Sequence, residues 1–264
     1  MAAAAFRALP SLVAPSAGRP LRRRGQVAVR AAQDRGPFPG KFGEWRIERE
    51  DELEVFAYRS ALSLVAACYG AGTAAALAPN AGWAEAIAAH GTVLAALGGL
   101  SMGAATVLIH VYLDPLKKAL QVLAAAGLAG GAYLAVSHPE LPLPAYVAQH
   151  PQAVWLVGPS FAALTGIAVK EGFCFGQRES YLLTFLVPSL LLGHLTGLLP
   201  GEAKAALAAA TAALLAVFAA RKFTQPVRDD IGDKSVFDFL KLSKQEQQAR
   251  LEQLRQQELL MSEE

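Results

Sequence analysis

Residues 87–109 read IAAHGTVLAALGGLSMGAATVLI, a run with no Asp, Glu, Lys or Arg. Wound as a helix, such a run is about 34 Å long, enough to cross a hydrocarbon core of roughly 30 Å. A helix of a soluble bundle would keep one polar face, and this run has none. Five more apolar runs, at approximately 60–79, 119–136, 153–169, 181–199 and 205–220, are equally free of charged side chains. The last is mostly Ala and the most marginal in length. Of the whole chain, 53% is hydrophobic and 17% charged, against roughly 25% charged in an ordinary soluble domain; there is too little polar surface to cover a water-facing core. The two cysteines, Cys68 and Cys174, form no CxxC, which excludes a disulfide scaffold and a cysteine-rich zinc module. The expected fold is all-α, a polytopic transmembrane bundle of six spans over 60–220.

The cations orient it. Lys and Arg accumulate in short loops on the side from which insertion begins. From residue 32 onward, 17 of the 18 basic residues fall before the first run, between runs two and three, between four and five, or after the sixth; the other connections hold only Lys204. Both termini therefore belong on one side. The first 31 residues carry six arginines and no acid, and are rich in Ala, Ser and Pro, which is the composition of an organelle transit peptide. The arginines follow the mild apolar run 8–14, so a secretory signal is disfavoured, and mitochondrial import is the competing destination. The tract VRAA at 29–32 resembles a plastid processing site. Removing 1–31 leaves 18 basic and 22 acidic residues, net −4. No basic patch with interleaved aromatics remains, so no nucleic-acid partner is expected. In a plastid the basic side is the stroma.

Residues 32–59 form a stromal lead-in, in which FGEWR at 42–46 would lie at the interface with Trp45 at headgroup level, the alternative being a solvated linker. Residues 221–264 form a polar stromal tail. There Ser243 and Glu246 are spaced as a capping box, predicting a helix over about 244–260. Leu251, Leu254 and Leu259 are too few for a coiled coil, which leaves a solvated or partner-binding helix.

Chemistry is sparse. Charges inside a bilayer are costly and usually functional; with none inside the runs, an ion-coupled pump is disfavoured. A carrier of neutral or weakly acidic solutes stays open, because Pro159 and Pro188 either kink or break their helices. His90 and His194 should lie near the same, non-stromal face and would be the ligands of a haem or chlorophyll; the plain alternative is hydrogen bonding to backbone or water. The densest constellation is KEGFCFGQRE at 170–179. Lys170 and Glu171 are expected to pair with Arg178 and Glu179 across a stromal turn. Phe173 and Phe175 would dip into the interface and Cys174 would present a thiol, so the loop reads as a structural turn or a partner contact; a nucleophile lacks a nearby base. Gly99xxxGly103, Gly127xxxGly131 and Gly193xxxGly197 allow close helix approach. There is no P-loop, GxSxG, HExxH or EF-hand pattern, so neither a catalytic set nor a metal site is expected.

At 111–118, VYLDPLKK, and at 169–175, VKEGFCF, the sequence resembles the uncharacterised integral membrane proteins of cyanobacteria and plastids grouped as DUF2301. The likeness would cover roughly 45–225. It implies a cyanobacterial origin and a chloroplast address, and carries no activity or site residues. The expectation is a non-enzymatic assembly or scaffold factor in the thylakoid or inner-envelope membrane, in contact with the lipid bilayer and a photosynthetic or other plastid membrane complex. The alternatives are the small-metabolite carrier and the haem or chlorophyll binder.

Overall fold

The computed structural model describes residues 36–262; the proposed address and its processing tract lie outside them. A short hairpin, β1 (Phe38–Gly40) and β2 (Gly43–Trp45), pairs Phe38 with Trp45. Helices follow: α1 (Arg49–Leu77), α2 (Ala84–Ala89), α3 (Gly91–Leu108), α4 (Asp114–Ser137), α5 (Leu143–Gln149), a 3-10 turn at Pro151–Ala153, α6 (Val154–Phe175), α7 (Arg178–Leu195), α8 (Gly201–Lys222), α9 (Val227–Ile231), α10 (Lys234–Lys241) and α11 (Lys244–Ser262).

The six long helices make a ring. α1 packs on α3, α3 on α4, α4 on α6, α6 on α7, α7 on α8, and α8 closes on α1. The stripes they turn inward supply one core, including Leu62, Met102, Ala105, Leu120, Ala124, Ala163, Ile167, Leu183, Leu215 and Phe218. Large apolar side chains such as Val93, Leu100, Val122, Phe185 and Val217 face outward, as lipid contact requires. Exposed aromatics cluster at both ends, with Tyr112, Phe173, Tyr181 and Phe223 at one and Trp83, Tyr133 and Trp155 at the other, where amphipathic rings are favoured by headgroups.

Among the described residues, five helical stretches are long and apolar enough to cross a membrane: Arg49–Leu77, Gly91–Leu108, Asp114–Ser137, Pro151–Phe175 and Gly201–Lys222. The run expected to be marginal, 205–220, lies within one of them. The expected span at 181–199 belongs to α7, which is not among the five because Arg178 and Glu179 occupy its first turn and His194 its last.

Elsewhere the helices run past the boundaries that charge placement suggested. α1 starts eleven residues before residue 60, taking in Arg49, Glu50, Asp51, Glu52 and Glu54; at 29 residues it is about 44 Å long and overshoots the hydrocarbon. Glu48 N–H donates to Asp51 Oδ2 at 2.7 Å and caps it. α6 likewise runs through Phe175, so the expected turn at 170–179 shrinks to Gly176 and Gln177. Gly176 ends the helix at φ 62°, its N–H bonding to the Gly172 carbonyl at 2.8 Å, the left-handed stop glycine adopts without a Cβ clash.

The two flanks fold on each other. Phe42 stacks on Phe239 with ring centroids 3.8 Å apart. Phe42 N–H donates to Ser235 Oγ at 3.0 Å, and Arg250 Nη2 donates to the Phe42 carbonyl at 2.7 Å. Ile47, Val55 and Ile231 form a small core of their own, against which Phe38, Trp45 and Val227 pack. Trp45 is thus part of a folded cap, its ring tilted 45° against that of Phe38 with centroids 5.0 Å apart. The capping box at α11 forms as expected, with Ser243 N–H on Glu246 Oε2 at 2.8 Å and Glu246 N–H on Ser243 Oγ at 3.4 Å.

Candidate functional site

On three helices the apolar stripe continues into charge. Leu164, Ile167 and Ala168 are buried on α6, and the next inward position is Glu171; Leu215, Phe218 and Ala219 on α8 lead to Lys222; Val55, Tyr58 and Leu62 on α1 flank Arg59. Helical spacing of three and four sends each charged side chain to the same face as the residues before it. They meet at the end of the ring, beneath the cap.

Glu171 is the hub. Its Oε1 accepts from Tyr58 Oη at 3.2 Å and from Lys170 Nζ at 3.0 Å, and its Oε2 accepts from Lys222 Nζ at 2.7 Å. Lys222 Nζ also donates to Gln225 Oε1 at 3.0 Å and to Asp230 Oδ1. Arg59 Nε reaches Asp230 Oδ2 at 2.7 Å, and its Nη2 reaches the Gln225 and Pro226 carbonyls at 3.0 and 3.2 Å. The rings of Phe175 and Tyr58 lie 5.3 and 5.5 Å from the Lys222 ammonium, and Phe175 also lies 5.2 Å from that of Lys170. Glu171 and Lys222 are 0% exposed, Asp230 3% and Arg59 6%. Charges taken so far out of water cost several kcal/mol each unless paired and hydrogen-bonded; here every one has at least two partners.

A second pair sits beside it. Arg221 Nη1 donates to both Glu179 oxygens at 2.8 Å. Gln177, buried at the α6–α7 junction, accepts from Ser180 Oγ at 3.2 Å while its Nε2 is unpartnered.

The residues singled out at 170–179 therefore separate. Lys170, Glu171 and Phe175 enter the buried cluster; Phe173, Cys174 and Arg178 are on the surface. Pairing is not across the turn as expected, since Glu171 takes Lys222 and Glu179 takes Arg221 from the end of α8. Arg59 and Lys222 stood just outside an apolar run in the sequence, and Asp230 lay ten residues beyond the last one, on α9. For Arg59 and Lys222 the signal was the stripe itself, which continues through them at helical spacing; Asp230 carried no such signal.

The histidines engage backbone. His90 Nδ1 lies 2.8 Å from the Ala86 carbonyl and His194 Nε2 2.9 Å from that of Val147. Tyr146 is sandwiched between His138 and His150, each at 4.2 Å. Among the described residues, no group of three His, Cys, Asp or Glu converges as a metal site. His110 sits under the cap, 3.5 Å from Glu54 and edge-on to Phe237; burial holds its pKa below the usual value despite Glu54. Burial pulls Lys234 down, yet its 2.8 Å hydrogen bond to Asp51 and the charges of Asp51 and Glu48 hold it above the usual lysine value.

An outward-facing apolar ring with its ionisable groups sealed at one end defines a multi-pass integral membrane protein. Residues 104–239, just over half of the chain, match the family described as uncharacterized integral membrane protein (DUF2301), and the chain belongs to that family. The match begins near the end of α3, later than the expected 45, and extends past 225 to take in α9 and most of α10. It thus includes every member of the buried cluster except Tyr58 and Arg59. No curated protein and no solved structure matches the chain.

Proposed function

We propose that this protein is a six-span chloroplast membrane protein, in the thylakoid or inner envelope, whose cap and termini face the stroma. On this reading it is a non-enzymatic assembly or scaffold factor for a photosynthetic or other plastid membrane complex. The contact between the hairpin and the tail supports an even number of crossings, which makes α7 the sixth. At 18 residues α7 is about 27 Å long, and it runs from the Glu179–Arg221 pair to the His194–Val147 contact at the opposite end of the ring. The distribution of 17 of 18 cations supports the stromal side.

The observation that carries the scaffold reading is α11. This 19-residue helix is tied to the cap near its base, by Arg250 to the Phe42 carbonyl and by Gln247 Nε2 to the Phe239 and Leu242 carbonyls at 3.2 and 3.0 Å. Beyond that tether it is largely exposed, Leu251 and Leu260 included. A helix held this way offers a surface to another protein without disturbing the bundle. Affinity purification from native membranes with the full chain should recover a defined complex, and deleting 244–262 should release it. Identical partner lists from both chains would remove the scaffold reading. Solute flux in proteoliposomes would instead favour the carrier, and a Soret or chlorophyll band in the purified protein the pigment binder.

A further inference from the structure

Asp230 is the one member of the buried cluster whose charge comes from outside the bundle. It lies on α9, after the last long helix, and inserts its carboxylate between two cations that the bundle presents. Oδ2 receives Arg59 Nε at 2.7 Å and Nη2 at 2.6 Å, and Oδ1 receives Lys222 Nζ. Without this carboxylate, three cations (Arg59, Lys170 and Lys222) would face Glu171 alone. Lys222 would keep Glu171, but Arg59 would be left with the Gln225 and Pro226 carbonyls, which precede Asp230 on the same segment. A guanidinium on one oxygen and an ammonium on the other, both buried, is the donor arrangement that captures a carboxylate.

We propose that Arg59 and Lys222 form a carboxylate-binding site at the capped end of the helix ring, that Asp230 is its tethered occupant, and that a small free carboxylate fills the site when Asp230 is removed. Occupancy by Asp230 is then what latches α9, and with it the start of the tail, onto the bundle. The neighbouring contacts hold the cap close by without entering the site: Ile231 packs with Ile47 and Val55, Lys234 bonds Asp51, and Asp233 N–H donates to Tyr112 Oη at 2.5 Å. This assignment is independent of the scaffold reading, since it concerns the bundle and α9 and not the exposed helix.

The test uses the full chain in lipid nanodiscs, with amide hydrogen exchange across 226–242 as the readout. Asp230→Ala should speed exchange in α9 by about tenfold or more, the factor that corresponds to a 1.4 kcal/mol change in opening. Excess sodium formate should restore protection, while sodium chloride of equal ionic strength should not. Asp230→Asn keeps the side-chain volume, so it should speed exchange and show no response to formate. Adding Arg59→Gln to Asp230→Ala should abolish the rescue. Unchanged α9 protection in Asp230→Ala and Asp230→Asn overturns the latch. Rescue by chloride equal to that by formate, or formate rescue that survives Arg59→Gln, overturns the carboxylate site. If Asp230→Ala does not accumulate, wild-type protection in Asp230→Asn alone is enough to sink the proposal.

Discussion

Lys222 holds its ammonium wholly inside the protein between Glu171, Gln225 and Asp230. Truncating one partner of such a set strands the others: Lys222→Ala should destabilise the protein by about 3–5 kcal/mol, read as loss of the folded fraction in thermal unfolding. Lys222→Met with Glu171→Gln leaves the Arg59–Asp230 pair intact and should recover much of that loss; equal destabilisation by the single and double variants would contradict the pairing. His110 gives a pH signature of opposite origin. Its folded pKa is lowered by burial, so the folded state binds the proton less readily than the unfolded one. The stability it lends is complete above the ordinary histidine value, about 6.5, and is lost as pH falls through the lowered folded value. His110→Gln should reduce the drop in melting temperature on acidification; an unchanged drop would assign it to other groups. Glu54, Asp51, Lys117 and Lys170 are the charges that act on this ring.

At the scale of elements, the α4–α6 contact is a close backbone crossing. A Cβ on Gly127 would strike the Ser160 backbone nitrogen, and one on Gly130 the Leu156 carbonyl, so two backbones touch where small residues permit it. Gly130→Leu should cost about 3 kcal/mol or more by forcing these helices apart, whereas Gly103→Ala, facing open space, should be close to neutral; comparable yields and melting temperatures for both would refute the crossing. The spacing rule pointed to Gly127 and Gly131, yet Gly131 has only ordinary contact with Leu143, and Gly130 makes the second approach. Which glycine faces a neighbour depends on the rotation of each helix, and a four-residue repeat does not carry that. The hairpin at 38–45 was equally illegible. Its strands are three residues each and gain their stability from Phe239, Asp233, Ser235 and Arg250, roughly two hundred positions away.

For the whole molecule, the ring order and the docking of hairpin on tail demand that the six-span reading alternate consistently. Single cysteines at 83 and 140 should label from one side of the membrane. Those at 44, 117 and 228 should label from the other, in a background with Cys68 and Cys174 replaced by Ser. Labelling of 44 and 228 from opposite sides would mean an odd number of crossings. Apolar run length alone was enough to read a helical membrane protein, because hydrocarbon tolerates only long apolar helices with every backbone group satisfied internally. The sequence also announced the α11 cap, since Ser243 and Glu246 are three residues apart. That Arg59, Glu171, Lys222 and Asp230 are one buried cluster emerges first from the packing of the helices. They come from four elements spread over 172 positions, and what joins them is closure of α8 on α1, a long-range packing choice that no local pattern records.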